Sequence, residues 1–285
     1  MDRQERLLYH QIHPLIVGTH SLEFPSMERF VRATSVPSSS TDSPVPDTVE
    51  QPTISVRLGG VALIAGAIAF MAVFSYLAAR FNYPAVLDGP ADVVLPALLA
   101  TGGAGRAAWA LYGFLPLIWL PAGVGAYYAL RRTHPGAMLL ALLFASLSAM
   151  SMMLGLLRWP TVHWRLAELH AMASPAERRS LAAVFDGLNA FLGNYLGEFL
   201  GELSFSAFFV LSAWALLHSR RAPRWLALCG LATGLLGWVG MFRNLTGAVA
   251  PVAALNNYLL PLWMIAFGVV LMREPRLTRD ADRRA

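Results

Sequence analysis

The sequence predicts an all-α, polytopic transmembrane helical bundle of about six spanning helices, preceded by a disordered N-terminal tail. Three observations carry that prediction. Of the 285 residues, 56% are hydrophobic and only 14% are charged, and mean hydropathy is +0.52, too apolar and too thinly charged for an ordinary soluble domain. The apolar residues are gathered into six runs, each near the ~20 residues that cross a hydrocarbon core. The basic residues, all arginine, sit mainly at the ends of those runs, so the net charge of +5 marks membrane topology rather than a nucleic-acid surface.

Taken in order, residues 1–56 read as a polar tail and linker. No apolar core follows the first arginines, so no cleavable secretory signal is predicted, and Met27 offers an alternative start. The segment from Ser35 to Ser55 is rich in Pro, Ser, Thr and Asp and buries too little apolar area to offset its ordering entropy. His10, His13 and His20 lack Cys or carboxylate neighbours at ligand spacing and read as solvated tail histidines. The transmembrane domain is expected over 57–273 and an arginine-rich tail over 274–285.

The first run covers about Leu58–Ala79, the second Ala107–Leu130 and the third Gly136–Leu157. The fourth covers about Leu188–Leu217, the fifth Trp225–Phe242 and the sixth Val252–Met272. If these alternate, Arg57, Arg131, Arg132, Arg220, Arg221, Arg224, Arg273, Arg276 and Arg279 share one side. The positive-inside rule places that side, and both termini, in the cytoplasm of a multi-pass protein of the cell membrane. Arg80, Arg106, Arg158, Arg165, Arg178 and Arg179 fall on the two long outer connections, so the short inner turns decide the orientation. Pro116 and Pro121 each remove a backbone donor and tend to kink the second helix. Between Phe81 and Arg106, ADVVLPALLA is too short to span and is expected at the interface. From Trp159 to Phe185 an amphipathic helix is expected to restart at Ser174-Pro175.

The chain resembles the domain of unknown function 4386 family, a bacterial group of multi-spanning membrane proteins. The resemblance rests on Arg57-Leu58-Gly59-Gly60-Val61, the run LYGFLPLIWLP, the corner Leu157-Arg158-Trp159-Pro160 and the stretch VFDGLNAFLGNYLGEFLGE, and covers roughly 57–272. It implies membrane location and no reaction. A shorter likeness, RLLYHQIHPL from Arg6, is to other small uncharacterised bacterial membrane proteins.

In the fourth helix, Gly193, Gly197 and Gly201 form a small-residue ridge suited to close helix packing. One position on, Asn194, Glu198, Glu202 and Ser206 form a polar stripe on nearly the same face. A carboxylate at the bilayer centre costs about 2.5–3.5 kcal/mol, so protonation or pairing with arginine must offset it. Arg158 and Arg243 end the neighbouring helices, and Asn256 and Asn257 begin the sixth, all in the outer half. The candidate ligand-binding set is therefore Arg158, Asn194, Glu198, Glu202, Arg243 and Asn257, with the glutamates paired to the arginines; the competing reading is that these pairs only hold helices together.

No catalytic residues, cofactor or metal site are predicted. There is no G-x-S-x-G elbow, no H-E-x-x-H and no P-loop, and Gly102-Gly103-Ala104-Gly105 precedes an arginine rather than a Walker lysine. His163 and His170 read as histidines of an amphipathic loop. Asn244-Leu245-Thr246 fits a glycosylation sequon at a helix end, where modification is not expected. Lone Cys229 has no internal partner. The lipid bilayer is the one partner predicted; protein partners and oligomeric state are left open. Three functions compete: binding or moving a small ligand or proton, a structural or regulatory partner, and a membrane-embedded enzyme using a glutamate base.

Overall fold

The computed structural model describes residues 50–219 and 221–273. The predicted N-terminal tail up to residue 49, Arg220, and the C-terminal tail lie outside the described residues. Among the described residues every regular element is helical. Within the described residues ten α-helices are joined by short 3-10 and π-helical stretches, and together they make six segments long and apolar enough to span a membrane.

The first span is α1, Glu50–Phe81. It begins inside the stretch read as linker, because the residues after Glu50 continue the helical turn of the apolar run. A 3-10 turn at Ala85–Asp88 leads to the short α2, Ala91–Ala100. The second span joins α3, Gly102–Phe114, to α4, Trp119–Leu130, through a 3-10 turn at Leu115–Ile118. Pro116 lies in that turn and Pro121 in the first turn of α4, where a missing backbone donor breaks fewest helical bonds.

The third span is α5, Pro135–Leu157; it runs past Arg158 through a π-helical turn, Trp159–His163, into α6, Trp164–Met172. Next comes α7, Pro175–Leu188. Ser174 and Glu177 close a capping box at its start, as the Ser-Pro signal predicts. Helix α7 then passes without a break into a π-helical stretch, Asn189–Leu200, and α8, Gly201–His218. The fifth span is α9, Arg224–Gly240, with a 3-10 turn at Met241–Asn244. The last is α10, Ala250–Arg273, after a 3-10 turn at Gly247–Val249.

Six helices pack as a closed ring in chain order, α1 on α4, α4 on α5, α5 on α8, α8 on α9, α9 on α10 and α10 back on α1. At one end, where the chain passes from α4 to α5 and from α8 to α9, small residues let the helices touch through their backbones. A Cβ on Gly59 would lie 2.6 Å from Gly125 Cα, and one on Gly60 would lie 2.6 Å from the Gly268 carbonyl. Such approach suits a bilayer, where helices associate through dispersion rather than water exclusion.

The other end carries α2, α6 and α7 as a cap. Helix α2 does not span; it sets fully buried Val94, Leu95 and Leu98 against α6 and α7. Beneath it Trp109 stacks on Trp159 at 4.9 Å between centroids, and Phe81 meets both rings edge-on. His163 and His170 are inside this cap, not on a solvated loop face. Beyond the π-helical turn, α6 lies against α2, where His170 Nε2 meets Asp92 Oδ1 at 2.7 Å.

Candidate functional site

The polar groups of the fourth and fifth spans meet at the capped end. Their geometry follows from the π-helical stretch, whose i to i+5 bonds widen the turn and change which residues share a face. Glu198 is in that stretch and Glu202 in the first turn of α8. Both reach Arg243, in the 3-10 turn ending the fifth span. Arg243 Nη1 donates to Glu202 Oε1 at 2.6 Å, and Nη2 lies 3.0 Å from Glu198 Oε2. Asn244 Nδ2 donates to the same Glu198 oxygen at 2.7 Å. One guanidinium thus serves two carboxylates, leaving the three groups with a formal charge of −1 when both acids are ionised. The side chains are 20–29% exposed, so the pairs are screened less than surface pairs and more than core ones.

Arg158, expected to pair with a glutamate, takes different partners. Its Nε and Nη2 donate to Asn189 Oδ1 at 3.2 and 3.0 Å, its Nη1 donates to the Gly155 carbonyl, and the guanidinium lies 5.1 Å from the Trp159 ring. Asn189 Nδ2 in turn donates to the Leu87 carbonyl at 3.0 Å. The buried cation is therefore held by neutral acceptors and ties the start of the fourth span to the turn after α1.

The glycine ridge divides in the same way. Gly197 packs on Gly155, each Cβ position within 2.9 Å of the other's Cα, so backbone meets backbone there. Gly201 faces the Met152 side chain. Gly193 faces Arg158 first; a Cβ on it would lie 2.3 Å from Arg158 Nη2 and 2.6 Å from Cζ, so its missing side chain makes room for the guanidinium.

A cavity of about 520 Å³ opens among these groups. Of the six predicted ligand-binding residues, Arg158, Glu198, Glu202, Arg243 and Asn257 line it. Asn194 is not in the wall and enters only through its carbonyl, 3.5 Å from Asn244 Nδ2. The wall also holds residues that the periodicity did not single out for the site. Phe70 stacks on Trp119 at 5.4 Å and meets Tyr112 edge-on at 5.2 Å. Tyr83, between the first two spans, has its phenol pushed up to about 12, first by burial and then by the Glu198 charge, and so stays a neutral hydrogen-bonding group.

Glu202 Oε2, Asn256 Oδ1 and the indole Nε1 atoms of Trp119 and Trp159, all on wall residues, are buried without a hydrogen-bond partner among the described residues. The exposed wall residues mark the mouth; they are Ala250, Ala254, Asn257 and Tyr258 on α10, with Pro84, Ala85 and Asn244 on the connections. Among the described residues no three His, Cys, Asp or Glu side chains cluster as a metal-ligand set. The Asn244 amide, the acceptor atom of the sequon, is engaged with Glu198.

A family model described as domain of unknown function (DUF4386) matches residues 58–272, three quarters of the sequence, and the chain belongs to that family. No curated protein and no solved structure matches it.

Proposed function

From its membership of a family defined by sequence and not by a reaction, we propose that this integral membrane protein binds a small ligand in the cavity at the capped end, and moves it or a proton with it. The supporting observation is the cavity itself, into whose wall a carboxylate is built with one oxygen, Glu202 Oε2, left without a partner. Buried polar atoms are ordinarily hydrogen-bonded, and intramembrane carboxylates facing a cavity ordinarily mark substrate or proton pathways. The arginines on the short connections at the opposite end support an orientation in which the cavity faces outward and the termini are cytoplasmic.

A structural role is the second reading, and Arg243 favours it by joining the fifth span to both carboxylates of the fourth. Vesicles holding the protein and an internal pH dye separate the two. Under an imposed pH gradient, the wild type is expected to dissipate the gradient about tenfold faster than Glu202→Gln, which removes the ionisable group. Ala254→Trp, placed at the exposed mouth, is expected to slow it too. Equal rates in the wild type, both variants and protein-free vesicles would leave the structural reading standing.

A further inference from the structure

We infer that the cavity takes an organic cation with N–H donors, a primary or secondary ammonium on an apolar body. This rests on the reading of the cavity as a ligand site and names what it selects.

Charge comes first. Glu198, Glu202 and Arg243 together carry a formal −1, balanced across the wall by Arg158, which is held by neutral acceptors, and the two acids do not share the excess evenly. Glu198 Oε2 accepts from Asn244 and is ion-paired with Arg243 Nη2 at 3.0 Å, whereas Glu202 has Arg243 alone and keeps Oε2 free. A second unpartnered acceptor, Asn256 Oδ1, belongs to a side chain on α10 that is only 7% exposed and lines the same space. An unmet buried acceptor keeps its full desolvation cost until a donor arrives. Two acceptors, one of them on a carboxylate, ask for a cationic donor with more than one N–H; the indole Nε1 atoms of Trp119 and Trp159 in the same wall are donors that such a ligand leaves unmet.

The remaining wall suits the rest of such a molecule. Phe70, Tyr112 and Trp119, packed on one another in the wall, offer apolar contact to the body of such a molecule. Arg158 does not argue for an anion instead. Each of its three nitrogens already donates to an oxygen, Trp159 covers its face, and it is 4% exposed.

The ammonium can come from a free amine or from the headgroup of an aminolipid. The full chain in phosphatidylcholine nanodiscs is titrated with cyclohexylmethylamine, cyclohexylmethanol, cyclohexylacetate and the trimethylated quaternary analogue of the amine. Quenching of tryptophan fluorescence reports binding, since Trp119 and Trp159 line the cavity. The amine is expected to bind about tenfold more tightly than the alcohol. The quaternary analogue, equal in charge but without N–H, is expected to bind more weakly than the amine.

In Glu202→Gln the preference for amine over alcohol is expected to vanish while alcohol binding persists, which shows the variant is folded. Asn256→Ala is expected to narrow the same preference and serves if Glu202→Gln does not fold. Repeating the amine titration in nanodiscs containing phosphatidylethanolamine separates the sources. Loss of amine binding there assigns the site to a lipid headgroup, and its retention assigns it to a free amine; both support the class. Equal or tighter binding of the alcohol, the carboxylate or the quaternary analogue overturns the class and leaves the cavity a ligand site. Binding of none of the four probes, with and without phosphatidylethanolamine, overturns the class and the proposed function together.

Discussion

The two ends of the helical ring solve the same packing problem with different mixtures of glycine and large side chains. At the uncapped end helices meet through glycine and alanine, with Gly59 on Gly125, Gly60 on Gly268, and Ala126, Ala141 and Ala145 fully buried. At the capped end Gly155 and Gly197 still bring two backbones together, but tryptophan, tyrosine and arginine side chains fill much of the remaining space and the cavity opens among them. Even the glycines differ in meaning. Gly59 admits a neighbouring backbone, Gly193 a guanidinium. Close backbone packing at one end supplies the cohesion that lets the other end carry charges and an opening, where polar groups cost stability.

The largest expected effect attacks the closed end. Gly59→Leu would drive a side chain into the backbone of α4, since even its Cβ would stand 2.6 Å from Gly125 Cα, and neither backbone can yield. A loss of about 3 kcal/mol is expected in reversible unfolding from detergent micelles. Ala254→Leu, at the exposed mouth, is the matched control and is expected to stay within about 0.5 kcal/mol of the wild type. Similar losses for both would erase the distinction between the ends.

Next in size is Arg243→Met, which leaves two carboxylates without their shared cation. Charge-assisted hydrogen bonds contribute about 1.5–3 kcal/mol each, and the partial exposure of all three groups puts the expected loss near about 2.5 kcal/mol. The same substitution in a Glu198→Gln, Glu202→Gln background is expected to cost much less, because no charge is then left unpaired. Unfolding of all the variants by the same method gives the coupling.

These expectations show which parts of the molecule were legible from its sequence. The six spans were, because a run of about twenty apolar residues has few other stable uses. Arg243 could be brought to Glu198 and Glu202 because alternation of spans puts the end of the fifth beside the start of the fourth. The partner of Arg158 was not legible. Periodicity of 3.6 residues cannot describe Asn189–Leu200, whose π-helical turn presents a different face, and nothing in the residue types announces that turn. Nor could periodicity show that α6 lies against α2, which buries His170, or that Trp159 and Phe185 of α7 close on His163. The aromatic wall, with Phe70, Tyr112 and Trp119, looks in sequence like any apolar run, since only tertiary packing decides which rings border space.

A smaller effect is expected from Asn189→Ala at the capped end. Asn189 is the hinge of a chain of contacts, accepting from Arg158 and donating to the Leu87 carbonyl. Its loss strands part of a buried cation, and about 2 kcal/mol is expected, below the Arg243 effect because the Gly155 carbonyl still accepts from Arg158. Thermal unfolding in the same micelles checks the order of the two.

The smallest effect is the most discriminating, because its sign depends on what Gly193 is for. Alanine is favoured over glycine within a helix by about 1 kcal/mol, so Gly193→Ala would stabilise the fourth span if nothing stood opposite. Opposite stands Arg158, with Nη2 at 2.3 Å from the added Cβ, and its guanidinium is tethered by Asn189 and the Gly155 carbonyl. Displacing the tip of a long side chain is cheaper than displacing backbone, so the net loss in the wild type is expected to be only about 1 kcal/mol. In an Arg158→Ala background the obstacle is gone, and the same substitution is expected to become neutral or stabilising by up to about 1 kcal/mol. A double-mutant cycle on unfolding free energies reads that reversal directly. An equal loss in both backgrounds would mean that Gly193 serves helix packing after all, and the two ends of the molecule would use their glycines alike.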